Sequence, residues 1–368
     1  MNVTYKHREI FQKLIDEIAI GLYDHTNRLP SEAQLVRRFG VSRPTAARAL
    51  RDLQIHGIIE RRVGAGSFLV KGAKSLSPQS SRQLGVLLPA LEVSDILDAI
   101  GAELAGLTRA NDFSLLWANS KQSADLTVKD AEKVCQDFVD RSVQGVFFAP
   151  FEFAMDKDEV SQRTTDRLRK AGIAVVLLDR DLVPFPHRSD FDLIGIDNVM
   201  AGYLACEHLL KLGVRRITFI ARPLSAPTVS ARVAGARQAA FDAGIEPIRN
   251  FYRVGDPQDP VFVRELIGGR INGVICANDF TAAQFMCSLS KAKIRVPEDI
   301  RLVGFDNLKY AGLLTVPLTT VSQPYREMAR NGLRAMLSRL SDPTLPPTSF
   351  LSRPSLVIRA SCGAFLPR

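Results

Sequence analysis

Residues 28–70, RLPSEAQLVRRFGVSRPTAARALRDLQIHGIIERRVGAGSFLV, constrain the fold more than any other stretch of the 368-residue chain. Ser31 stands three positions before Gln34, the capping-box spacing that starts a helix, and Gly40 suits the left-handed position that ends one. After a tight turn a second helix begins, with Ser42 as its cap. Pro44 lies in its first turn, where amides need no intrahelical acceptor. At the helical repeat Ala46, Ala49, Leu50 and Leu53 fall on one side, and Pro44, Arg48 and Arg51 on the other. Residues 58–63 and 67–70 then read as two strands reversed through Gly64-Ala65-Gly66. Glycines there permit a sharp turn and a close approach to a phosphate or a minor groove. An amphipathic helix over 6–22, with Ile10, Leu14, Ile18 and Leu22 on its buried face, precedes these elements. The layout is that of a winged helix-turn-helix, which places a basic helix in the major groove of DNA.

The charge agrees. Of the net +9, residues 1–74 carry a surplus of six (13 Lys and Arg against 7 Asp and Glu), and the remaining 294 residues carry only three. A positive surface concentrated in a small domain is the footprint of phosphate contact. Arg43 and Thr45, at the start of the second helix, are placed to meet a base edge or a phosphate. The expected DNA contacts are therefore Ser42, Arg43, Pro44, Thr45, Arg48 and Arg51 on the helix, with Arg62, Gly64 and Gly66 on the wing.

Over residues 5–70 the chain resembles the GntR family of bacterial regulators, in LPSE, GVSRPT, the Ala49-Leu50 pair and GIIERRVGAGSF. It departs from that pattern at Ala33 and Ala47, where arginines are common in the family. Each departure removes one expected base or phosphate contact.

Residues 71–83, KGAKSLSPQSSRQ, are polar, Ser-rich and without period, and read as a linker to a second domain over 84–368. Beyond it short apolar runs alternate with amphipathic helices: GVLLP, FSLLWA, GVFFAP, IAVVLLD, LIGID, RITFIA, GVICAN and RLVGFD. Runs apolar on both faces predict parallel strands buried between helix layers. Eight such strands call for an α/β domain of two doubly wound lobes. Several end on polar residues: Asp179, Asp197-Asn198, Asn278-Asp279 and Asp306-Asn307. Ligands of open α/β sheets bind beyond the carboxyl ends of the strands, and carboxylates, amides and an arginine fork there suit the hydroxyls of a sugar. Asp and Asn are equally favoured helix caps, and Asp197-Asn198 reads best as a cap or turn.

Residues 82–363 resemble the effector domain of the LacI family, a periplasmic-binding-protein-like fold. The matching pieces are VVLLDR, IDNVMAGYLACEHLLKLGVRRITFI, SARVAGARQAAFDAGI, GVICANDFTAA, VPEDIRLVGFDN, PLTTVSQP and VIRAS. The resemblance implies that Asp179, Arg232, Asn278 and Asp306 contact the effector. It places Gln323 on a strand crossing between lobes, nearer the hinge or a dimer surface than the ligand, and residues 92–96 in a selectivity loop. GntR heads on such sensors are an architectural variant similar to arabinose repressors.

The reading that follows is a cytoplasmic, homodimeric transcriptional regulator. It binds double-stranded operator DNA as a repressor of carbohydrate-metabolism genes and is released by a mono- or disaccharide. The alternative effector is a purine or another non-sugar metabolite, since related pockets take purines. An enzyme is not expected: the chain has no P-loop, GxSxG elbow, HExxH or complete GxGxxG. Five scattered cysteines and five histidines show no ligand spacing, so no metal or cofactor is expected. No apolar run reaches the length of a membrane span, and the N-terminus lacks a signal-peptide core.

Overall fold

The structure is a computed structural model that describes residues 26–55, 58–62, 66–70, 82–88, 95–117, 128–246, 248 and 250–366. It also describes residues 10, 11, 13, 14, 17, 18, 22 and 23. Internal contacts divide the chain into two compact units, 1–81 and 82–368.

In the first unit, helix α1 (Glu32–Phe39) has both halves of the capping box: the Gln34 amide donates to Ser31 Oγ and the Ser31 amide to Gln34 Oε1. It ends on Gly40 at φ 60, as its left-handed position requires. Helix α2 (Arg43–Ile55) follows after the three residues Gly40, Val41 and Ser42. Strands β1 (Ile59–Arg62) and β2 (Gly66–Leu69) form an antiparallel wing, with Ile59 opposite Leu69 and Arg62 opposite Gly66. The chain at 27–29 adds a third rung: Leu29 donates to the Ser67 carbonyl and Leu69 to that of Asn27. Leu14, Leu35, Ala46, Ala49, Leu50 and Leu53 are fully buried in one core, the apolar side anticipated for α2. Leu22 departs from expectation. It is 58% exposed, because its amide bonds back to the Glu17 carbonyl in a turn and it has left the helical register.

The second unit consists of two lobes, each built on a six-stranded sheet. The first lobe holds β3 (Arg82–Leu87), β4 (Phe113–Trp117), β5 (Gly145–Phe148), β6 (Ala174–Leu178), β7 (Asp192–Ile196) and β13 (Ser349–Ser352), in spatial order β13-β7-β6-β5-β3-β4. Helices α3 (Asp95–Ala110), α4 (Val128–Asp140), α5 (Lys157–Lys170) and α10 (Tyr325–Ser341) cover it. The second holds β8 (Ile217–Ala221), β9 (Tyr252–Val254), β10 (Gly273–Cys276), β11 (Arg301–Asp306), β12 (Thr320–Ser322) and β14 (Ser355–Val357), in order β14-β12-β11-β10-β8-β9. Its helices are α6 (Asn198–Lys211), α7 (Thr228–Asp242), α8 (Pro260–Gly268) and α9 (Asp279–Lys291). Every pairing is parallel except β12 with β14. All eight apolar runs are strands, and β5, β7, β8 and β10 are buried throughout, as helix layers on both faces demand. Arg82 and Gln83, read as linker from their polarity, are instead the first residues of β3, paired with Phe113 and Ser114. A strand end that extends past its covering helices can be polar.

The chain crosses between lobes three times: after β7, after β12 and after β13. These crossings leave the carboxyl ends of both sheets facing one interlobe cleft. In the second lobe α6 and α7 cross in direct backbone contact. A Cβ on Gly202 would lie 1.8 Å from the Arg232 carbonyl oxygen, and one on Gly235 would lie 1.8 Å from that of Val199. Only glycine fits at either position, and the crossing fixes the depth at which α7 carries Arg232 into the cleft.

Candidate DNA-reading face and effector cleft

Ser42, just before α2, and Arg43, Pro44, Arg48 and Arg51 on it are exposed, away from the core. Thr45 is not. It is buried, its hydroxyl 2.8 Å from that of Ser42. Thr45 is therefore withdrawn from the presented face. Gly66 sits at φ 115, a backbone conformation that favours glycine, with the Arg28 guanidinium packed beside it. Arg62 holds its place in the strand but its side chain lies outside the described residues, as does Gly64 altogether. Glu32, which the sequence reading passed over, joins the parts: its carboxylate meets Arg61 Nη2 at 2.6 Å and Arg43 Nε at 3.3 Å. The Arg61 bond, then Arg43, hold that carboxyl below its ordinary range. It thereby ties the first turn of α1 to the exposed tip of α2 and to the wing.

The interlobe cleft is lined from the first lobe by Ile96, Glu152, Phe153, Asp179 and Arg180. The second lobe contributes Ser225, Ala226, Thr228, Val229, Arg232, Ala277, Asn278, Asp306 and Gln323. All four residues implied as effector contacts thus lie together. Arg232 is 4% exposed. Its Nη1 donates to the Ala277 carbonyl at 2.7 Å and its Nε to Asn198 Oδ1 at 2.8 Å, its guanidinium carbon stacks 4.6 Å from the centre of the Phe305 ring, and Nη2 is directed at Asp306 Oδ1, 3.9 Å away. Structural partners hold the fork and leave its far edge toward the cleft. Asn278 caps α9, accepting from the Thr281 amide at 2.8 Å, so its cap and cleft roles coexist. Asp197 caps α6 through the Met200 amide, as read.

Gln323 corrects the sequence reading. It lines the cleft, 3% exposed, and donates from Nε2 to Asp306 Oδ1 at 2.7 Å. Its Oε1 is buried without a hydrogen-bond partner, an acceptor suited to a hydroxyl. The segment after β12 ends on the cleft before it crosses, which a motif at the hinge could not reveal. Residues 92–94 of the expected selectivity loop lie outside the described residues, whereas Ile96 does line the cleft.

The sequence reading also missed Glu152 and Arg180. Arg180 is buried, with Nη1 2.5 Å from Glu152 Oε1 and Nε 3.3 Å from Asp179 Oδ2. Glu152 reaches across the cleft, its Oε2 accepting from the Ala226 amide just before α7. The Phe153 amide donates to the Leu224 carbonyl, and Arg222 lies between the rings of Phe153 and Phe280. The lobes are thus joined across the cleft mouth. The cleft holds three carboxylates and two guanidinium groups. Burial pushes the Asp306 carboxyl up to about 6, opposed by Arg232 and reinforced by the Asp179 charge. Being raised for an acid, this group stabilises the fold most below its unfolded value near 4, and that contribution is lost as pH rises through about 6. Effector binding moves the other way if ionised Asp306 accepts from the ligand. Affinity measured by calorimetry from pH 8 to pH 5 is expected to fall below about pH 6, and to lose this dependence in Asp306→Asn. A flat wild-type profile would remove Asp306 from the binding groups.

Residues 6–69 match the family model of bacterial regulatory proteins of the gntR family, and residues 206–362 that of the periplasmic binding protein-like domain. The chain joins a GntR-type winged helix-turn-helix to a LacI-like effector domain. It is a transcriptional regulator, and both halves are of kinds found in DNA-binding regulators rather than in enzymes. Over 295 residues the regulator is 27% identical to the ribose operon repressor of Escherichia coli K12, covering 78% of this chain and 84% of that one. Over 201 residues it is 30% identical to the HTH-type transcriptional repressor PurR of Vibrio atlanticus, covering 52% and 58% respectively. Among solved structures, the transcriptional regulator CelR–cellobiose complex shares the fold over 90% of this chain and 100% of its own, with a TM-score of 0.65 and 21% identity. The lac repressor dimer bound to operator and the anti-inducer ONPF does so over 79% and 97%, with a TM-score of 0.62 and 22% identity. Among the described residues no helix is long and apolar enough to cross a membrane, and no cluster of three or more His, Cys, Asp or Glu could hold a metal ion.

Proposed function

We propose that this regulator is a cytoplasmic homodimer that represses carbohydrate-metabolism genes and releases its operator when a small sugar enters the interlobe cleft. One observation carries the reading. The cleft floor is a ring of Asp179, Arg232, Asn278, Asp306 and Gln323 that offers both acceptors and donors, one of them the unpartnered Gln323 Oε1. Each hydroxyl of a sugar needs both kinds of partner. The relatives support it: one is a ribose operon repressor, and solved structures of the same fold carry cellobiose, ribose and D-xylulofuranose. The DNA contacts are Ser42, Arg43, Pro44, Arg48 and Arg51 of α2 with Arg62, Gly64 and Gly66 of the wing, and a two-fold protein matches a pseudo-palindromic operator. Sugar favours the closed sensor, closure changes the spacing of the two heads, and operator DNA must weaken sugar binding in return.

The test is a thermal-shift screen of pentoses, arabinose among them, hexoses, disaccharides, sugar phosphates and purines, because a bound ligand raises the melting temperature according to its own affinity. A shift with a carbohydrate that also releases operator in a gel-shift assay is the expected outcome. A shift with purines alone would replace the sugar by the alternative effector.

A further inference from the structure

Beyond the charged floor a second chamber opens on the hinge side of the same interface. Asp179, Arg180 and Thr228 line both spaces. The cleft floor retains about 40 Å³ and the chamber about 130 Å³. Both lobes build the chamber: Phe185, Val183 and Leu351 come from the first, Val199 and Ala231 from the second. Val199 and Leu351 are 36% and 44% exposed, large apolar side chains placed beside two of the crossings between lobes. At the rim Arg188 is exposed and forms no ion pair among the described residues. The nearby carboxylates are already engaged. Asp181 accepts from the amides of Leu182, Val183 and Ser189, and Asp197 caps α6.

An apolar wall with an aromatic ring and a few polar groups at its edges is the lining that small-molecule sites use for an amphipathic ring. The carboxylates of Asp181 and Asp197 accept from backbone amides, and the exposed Arg188 supplies a hydrogen-bond fork for hydroxyls. We propose that the effector site consists of two subsites in series. One ring binds over Asp306 and Arg232, and a second, beside Thr228, packs on Phe185, Val199 and Leu351. The effector is therefore a disaccharide or a glycoside rather than a free monosaccharide. Because both lobes line the chamber beside their crossings, the second ring touches both lobes, and its contacts add to the bias that the effector sets between sensor states. This inference rests on the reading of the cleft as a sugar site.

Calorimetry on the full chain would compare cellobiose, maltose, lactose, sucrose and trehalose with glucose, galactose, fructose, ribose, arabinose and xylose. The same titrations would be repeated on Leu351→Trp, which fills the chamber from an exposed position, and on Phe185→Ala, which removes its ring. One disaccharide is expected to bind at least ~10-fold more tightly than its component monosaccharides, a margin of about 1.4 kcal/mol. Both variants should erase that margin while leaving the monosaccharide affinity unchanged. If a monosaccharide binds as tightly as any disaccharide and neither substitution alters it, the second subsite is wrong and the sugar reading stands. If no carbohydrate binds at all, both fall together.

Discussion

Arg232→Ala is expected to abolish the response to effector while leaving operator binding unchanged. The guanidinium is buried, held by the Ala277 carbonyl and Asn198 and stacked on Phe305, and its remaining edge faces Asp306 across the cleft floor. Truncating one member of a buried, hydrogen-bonded charge set costs about 2–5 kcal/mol in binding, which raises the effector Kd at least ~30-fold. Much of that cost arises because Asp306, with its carboxyl already pushed up to about 6, would lose the cation that favours its ionised form. Arg232→Lys separates charge from shape: an ammonium restores the charge but not the fork, so affinity recovers only in part. Calorimetry gives the Kd, and gel shifts with and without sugar give the response. Melting temperatures of both variants guard against a folding defect. Full induction in Arg232→Ala would remove this residue from the site.

Arg48→Ala is expected to lose operator binding without disturbing the sensor. Arg48 stands exposed on α2, opposite Ala46, Ala49, Leu50 and Leu53, all fully buried, so its removal leaves the core of the head intact. On the proposed reading a side chain on that face meets a base edge in the major groove, and loss of one such contact costs about 1–3 kcal/mol of discrimination, or roughly 5- to 150-fold in specific affinity. Fluorescence anisotropy with operator and with competitor duplex at fixed salt distinguishes base reading from phosphate contact. A base contact narrows the gap between the two affinities, whereas a phosphate contact weakens both and flattens the salt dependence. Unchanged affinity for both duplexes would move the reading face elsewhere on the head.

Much of the head was legible because its signals are local. Ser31 and Gln34 satisfy each other across one turn, Gly40 ends the helix where it stands, and the apolar side of α2 follows from residue spacing alone. Thr45 shows the limit. Pro44 before it is exposed, yet Thr45 is buried with its hydroxyl against that of Ser42, a contact made by the turn before α2 and not readable from helical spacing. Leu22 fails for the same reason at the other end: periodicity continued past the point where the backbone turned.

In the effector domain the eight apolar runs became strands because continuous burial on both faces leaves one pattern in sequence. The strands left unread, β9, β13 and β14, are three or four residues long and carry no such apolar run. At the cleft, Asp179, Asn278 and Asp306 could be read as polar residues closing apolar strands. Glu152, Arg180 and Gln323 could not: each pairs with a group from a distant part of the chain.

The sequence by itself determined the kinds of element and the side each residue turns to its core, because propensity, capping and periodicity act within a few residues. The tertiary structure alone decided which side chains share the cleft. Two largely parallel sheets direct the carboxyl ends of strands remote in sequence at one space, and the close crossing of α6 on α7 at Gly202 and Gly235 sets how far Arg232 reaches into it. Contacts of that kind depend on how elements pack, and packing leaves no local trace in the order of residues.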